Sequence, residues 1–154
     1  MSASSPYLVV LLCTTAFVTA CTDERDSAPP YRLLPDNAPV VADGKVIYDS
    51  ECASCHGANL EGQPDWRVRD EEGYLPAPPH DASGHTWHHS DRQLFELTKH
   101  GLTQLVGGDY KSRMPKYDGV LSDEDIAAVL SFIKSQWPAR LRKRHDQLNA
   151  ASEK

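Results

Sequence analysis

Cys52-Ala53-Ser54-Cys55-His56 gathers two thiols and an imidazole within five residues. On a helical turn, positions 52, 55 and 56 share a face, so both sulfurs can add to the two vinyl groups of a haem while the adjacent imidazole points at iron. Three blander readings compete: a redox dithiol, half of a zinc site, or a chance match. A redox dithiol should open a helix after a strand in a βαβ unit, whereas the residues before Cys52 are patterned for a helix. A structural zinc site wants four ligands, and the sequence has no second close Cys pair. The motif is therefore read as the attachment site of one covalently bound haem, with His56 as an iron ligand.

Iron then needs a sixth ligand or an open position. Apart from the initiator, the only methionine is Met114, in Arg113-Met114-Pro115. Its thioether is a soft ligand that favours ferrous iron and raises the potential relative to a second histidine, and Pro115 would stiffen the loop that carries it. His100 and the histidines between His80 and His89 are the rivals. That cluster, His80-Asp81-Ala82-Ser83-Gly84-His85-Thr86-Trp87-His88-His89, also raises a copper site at His85, His88 and His89. The favoured alternative is a haem-lining loop, in which Trp87 packs on the porphyrin and the histidines bond to propionates or backbone.

The other two cysteines fall in the first 21 residues. Tyr7 to Thr19 is an apolar run in a segment with no charged residue from Met1 to Ala20, and it ends in Val18-Thr19-Ala20-Cys21. About 13 apolar residues are too few to span a bilayer core of roughly 30 Å, so the run reads as an export signal rather than a permanent anchor. The small residues before Cys21 resemble a bacterial lipobox, which makes Cys21 the lipidation site and places the protein on the periplasmic side of a bacterial membrane.

Four segments follow: residues 1–20 as signal peptide, 21–42 as a lipidated N-terminus and flexible Pro-rich tether, 43–137 as the haem domain, and 138–154 as a basic tail. The tether is expected because Pro29, Pro30, Pro35 and Pro39 interrupt regular structure. In the domain, one helix is expected from about Asp43 towards Cys52. A second starts at Ser90, with Gln93 completing a capping box, and stops at Gly101. A third starts at the Ser122 cap and carries Ile126, Val129, Leu130 and Ile133 on one face as far as Pro138. The tail carries Arg140, Arg142, Lys143, Arg144 and Lys154 against Asp146 and Glu153, and reads as a solvated extension or a contact for lipid head groups or an acidic partner. A net charge of −6 excludes general nucleic-acid binding, which needs basic surface. At 40% hydrophobic and 8% aromatic content, a buried prosthetic group would complete a thin core.

From about Asp43 to Trp137 the chain resembles the class I (monohaem) cytochrome c family: a helix into Cys-x-x-Cys-His, a distal Met-Pro loop and a C-terminal helix. The resemblance implies an all-α fold of three or more helices around one haem c. The first and last helices should cross, with Gly44 and Tyr48 meeting Phe132, and a proline carbonyl from Pro78 or Pro79 should orient His56. It implies electron carriage between redox donor and acceptor proteins rather than enzymatic turnover. The alternative is a haem enzyme or sensor in which Met114 is labile and His88, His89 or His100 acts on a bound peroxide or gas. The residues Glu61 to Tyr74 lengthen the connection beyond the family's compact pattern.

Overall fold

The computed structural model describes Met1 and residues 29–152, and the described residues form helices and loops without strands. Helix α1 (Ala38–Ile47) runs through a π-helical turn, Tyr48–Cys52, into the short α2 (Ala53–His56). A long loop with one 3-10 turn, Thr86–His88, leads to α3 (Asp91–His100) and α4 (Leu102–Val106). A second loop leads to α5 (Asp123–Ser135) and α6 (Ala139–Ser152). The all-α architecture expected from the resemblance is observed.

Local chemistry explains the helix ends. Ser122 accepts from the Asp125 amide while the Asp125 carboxylate takes the Ser122 amide, a reciprocal capping box that satisfies two orphan donors. Ser90 caps α3 by accepting from Gln93 N, and Gly101, with φ +83°, ends it. The start of α1 differs from expectation. Asn37 caps it through Val40 N, and Pro39 sits in the first turn, where its missing N–H costs nothing, so this proline opens the helix instead of preventing it.

The domain therefore extends further toward the N-terminus than Asp43. Leu33 is buried, its amide donates to Asp91 Oδ2, and the Leu34 amide donates to Ser131 Oγ. Of the segment read as a tether, residues 33–42 are packed structure; the signal peptide and Cys21 lie outside the described residues.

Helices α1 and α5 cross at the centre of the core, which includes Tyr48, Leu94, Phe95, Ile126, Val129, Phe132 and Trp137. The crossing is as close as backbone allows: a Cβ on Gly44 would stand 2.0 Å from Ala128 O and 3.0 Å from Phe132 Cβ. Only glycine permits that approach. Tyr48 lies one turn further, with its ring 5.3 Å from that of Phe132, so Gly44, Tyr48 and Phe132 meet as the resemblance implies.

The C-terminal segment corrects the reading of residues 138–154 as a solvated extension. Helix α6 buries Leu141 and His145 and fastens itself with polar contacts. Lys134 on α5, only 4% exposed, lies 2.8 Å from Asp146 and 3.5 Å from Asp91. Asn149 accepts from the Asp91 amide at 2.8 Å and donates to the Asp91 carboxylate at 2.9 Å. His145 Nε2 donates to the His89 carbonyl at 2.7 Å. Burial, and then the neighbouring Lys134 charge, lower the His145 pKa.

Candidate haem site

The turn that carries the motif leaves Cys52 half-buried, Cys55 exposed and His56 buried, with both cysteines as free thiols. Burial, with Glu51 and Cys55 adding to it, pushes the Cys52 thiol up to about 11. A redox dithiol needs the opposite shift, because the thiolate is the attacking species. The Cys52 environment therefore lacks the lowered pKa of an activated redox thiol.

The His56 ring is aimed by the loop opposite. Its Nδ1 donates to the Pro78 carbonyl at 2.8 Å, which selects Pro78 over Pro79 and leaves the Nε2 lone pair for a metal. Burial lowers the His56 pKa, partly opposed by the Pro78 carbonyl, so the ring stays neutral and able to ligate at neutral pH. The carbonyl's position rests on close backbone packing. Gly62, with φ +68°, lies where a Cβ would be 2.4 Å from Pro79 N, and its amide donates to His56 O at 2.7 Å.

Met114 sits half-buried in the loop between α4 and α5, and that loop is tied down on both sides of it. Tyr117 is buried and its hydroxyl donates at 2.9 Å to the carbonyl of Glu51, the residue before Cys52. Arg113 reaches Asp70 at 2.5 Å and Glu72 at 2.9 Å, and its guanidinium lies 4.0 Å from the centre of the Tyr74 ring. The lengthened Glu61–Tyr74 connection is therefore a brace on the methionine loop. Its neck is closed by Gln63, whose amide donates to Ala77 O and whose side chain accepts from Ala77 N, both at 2.8 Å.

The histidines of the run from His80 to His89 do not converge on one point. His85 stacks on Trp66 and His88 on Trp87, while the His89 carbonyl is taken by His145. Among the described residues no group of three or more His, Cys, Asp and Glu is placed to hold a metal ion. The copper reading at His85, His88 and His89 thus finds no third ligand: the His85 and His89 rings meet edge to face at 5.3 Å, but His88 turns away onto Trp87. His100 is held in an i,i+4 contact with Glu96 at 3.2 Å.

Among the described residues, one buried side-chain donor is left over. Trp87 Nε1 is enclosed and has no hydrogen-bond partner, a condition that costs about 1–3 kcal/mol unless an acceptor arrives. Two free thiols on the motif, a buried imidazole with an open Nε2, and an indole N–H awaiting an acceptor together suit a haem, which offers vinyl groups, iron and carboxylates.

Sequence reasoning missed several residues of this site. Tyr117, Arg113 and Trp137, whose Nε1 donates to the His80 carbonyl at 2.8 Å, carry no local signal because their roles exist only after the loops fold. His80 was grouped with the other histidines, yet its ring stacks on His56 at 3.9 Å between centroids.

Comparison with known proteins agrees with this geometry. The Cytochrome c family model matches residues 41–137. The chain is similar to a cytochrome bc1 complex cytochrome c subunit of Mycobacterium leprae, 50% identical over 30 residues, which are 20% of this chain and 10% of that one. It is similar to the cbb3-type cytochrome c oxidase subunit FixP of Azorhizobium caulinodans, 24% identical over 94 residues, 61% of this chain and 28% of that one. It is also similar to cytochrome c-555 of Prosthecochloris aestuarii, 29% identical over 72 residues, 43% of this chain and 73% of that one. The chain thus spans only a small part of the first two relatives. No solved structure matches significantly. Motif, helical architecture and a match over most of the chain make this protein a member of the cytochrome c family, with the all-α class I fold and covalently attached haem c.

Proposed function

We propose that the protein is a lipid-anchored carrier on the periplasmic side of a bacterial membrane, moving single electrons between redox partners through haem iron held by His56 and Met114. Cys52 and Cys55 would form the thioether bonds, and His56 and Met114 would hold the iron, leaving no open position for a substrate. The haem would supply one-electron redox chemistry there, and the protein's own work is to hold both ligands still. The observation that carries this reading is the tie from Tyr117 to Glu51, which fastens the Met114 loop to the motif itself. A braced methionine loop suits a saturated, low-spin iron better than a labile distal position.

Acylation of Cys21 would supply the membrane attachment, and no described helix is long and apolar enough to cross a membrane. Two relatives carry names of respiratory complex subunits, which supports membrane-bound donors and acceptors for this chain as well. The deciding experiment is the visible and near-infrared spectrum of the matured protein. A low-spin spectrum with the weak near-infrared band of methionine on ferric iron, lost in Met114→Ala, is expected. A high-spin or ligand-binding spectrum would replace the carrier reading with that of a haem enzyme or sensor.

A further inference from the structure

The stack of His80 on His56 is not required by the motif, and His80 is immobilised from four directions. Its backbone amide donates to Leu60 O at 2.8 Å and its carbonyl accepts from Trp137 Nε1 at 2.8 Å. The edge of the Tyr48 ring approaches its ring at 6.4 Å between centroids. Its Nδ1 lies 2.9 Å from Thr86 Oγ1. Thr86 Oγ1 in turn lies 3.4 Å from Pro79 O, so the hydroxyl ties the His80 ring to the loop beside Pro78.

A planar ring held this firmly, 3.9 Å from the His56 ring and 22° from parallel, restricts what His56 can do. The Pro78 carbonyl fixes one edge of the His56 imidazole but leaves a hinge through that hydrogen bond. A flat neighbour against the face removes the hinge, since rotation of His56 about its Cβ–Cγ bond would drive it into the His80 ring.

We propose that His80 is a positioning residue for the iron ligand: stacked against the His56 imidazole, it sets the plane of that ring relative to the haem. This rests on His56 being the proximal ligand. The orientation of an axial imidazole plane governs how unpaired spin is spread over the porphyrin of the ferric state, so it can be read without any assay of electron transfer.

The test is proton NMR of the oxidised, haem-loaded protein, recording the order and spread of the four hyperfine-shifted haem-methyl signals, together with the reduction potential. His80→Leu removes the flat ring while keeping bulk, and is expected to change the order or spread of the methyl signals and to move the potential. His80→Phe restores a flat face and is expected to return the wild-type order. Thr86→Val frees the His80 ring from its tether and should displace the pattern in the same sense as His80→Leu, by less. A wild-type pattern in both His80→Leu and Thr86→Val would overturn the proposal, as would a His80→Phe pattern as altered as that of His80→Leu. Failure of the underlying reading is separate, because a wild-type protein without low-spin, histidine-ligated iron would show it before any variant is compared.

Discussion

Replacing Gly44 with alanine should destabilise the protein even though alanine is the better helix former. The new methyl would stand 2.0 Å from Ala128 O, against an ordinary contact of 3.4 Å or more, so the α1 and α5 backbones must part by about 1.4 Å along that line. The atom in the way is a backbone carbonyl inside a helix, which cannot swing aside. A gap of even 0.5–1 Å forfeits roughly a quarter to a half of the dispersion energy of the atoms it separates, and Tyr48 and Phe132 sit on this seam. Overpacking of this kind costs about 1–3 kcal/mol and occasionally more, whereas the gain in helix propensity is about 1 kcal/mol. A net loss of about 1 kcal/mol follows, and more if the helices cannot part, corresponding to a fall in Tm of roughly 2–4 °C for a chain of this size. Guanidinium and thermal unfolding of the haem-loaded protein would measure it, with Val46→Ala, on the 70% exposed position of the same helix, as a control expected to stay within about 0.5 kcal/mol. A Gly44→Ala protein as stable as wild type would refute the claim that the helices meet backbone to backbone.

Other outcomes follow from the same contacts. Truncation at Pro138 removes the helix that covers the Lys134–Asp91 pair, and with it the burial of Leu141, worth about 1.5–3 kcal/mol, and the Asn149 and His145 hydrogen bonds, worth about 1 kcal/mol each, so the truncated protein should melt several degrees lower; an unchanged Tm would restore the view of this segment as a solvated extension. His145 has a folded-state pKa below its unfolded value, so its contribution is fully present above the unfolded value of about 6.5 and is lost as pH falls from there toward the folded pKa. Unfolding titrations should accordingly show stability declining through acid pH, with a shallower decline in His145→Gln. Arg113→Ala should loosen the methionine loop without touching the iron ligands, so the near-infrared methionine band should weaken at a lower temperature than in wild type, and salt should narrow the difference. Cys52→Ala with Cys55→Ala should yield haem extractable by acidified organic solvent, whereas wild-type haem should stay with the chain.

The parts of this protein that were legible in its sequence are those whose chemistry is local. Ser122 and Ser90 announce their helices because a cap needs only the next three residues, and the Cys52–His56 spacing announces its cofactor because one helical turn suffices to align it. Pro39 misled because the same fixed φ that interrupts a helix also starts one, and the difference lay in Asn37 beside it. Helix α6 was invisible as packed structure because the groups that hold it are polar. Arg142, His145 and Asn149 look like solvent-facing residues until Asp36, the His89 carbonyl and Asp91 are seen opposite them. In the histidine run, proximity in sequence brings the His85 and His89 rings together but not His88, which the 3-10 turn sends onto Trp87, in keeping with the favoured non-metal reading. His80 lies 24 positions from His56, and only the folded loop through Pro78 stacks the two.

The reciprocal pair between Asn149 and Asp91 acts as a ruler for the C-terminal helix. A helix held by apolar contact alone could advance by one turn, 5.4 Å, and find similar greasy neighbours. Here a slip of one turn would strand Asn149, Asp146 and His145 together, each with a buried partner left bare. The stretch from Trp137 to Asn149 is consequently length-locked: a residue inserted or deleted within it throws every one of these matches out of phase, while changes in length after Asn149 should pass unnoticed by the rest of the molecule.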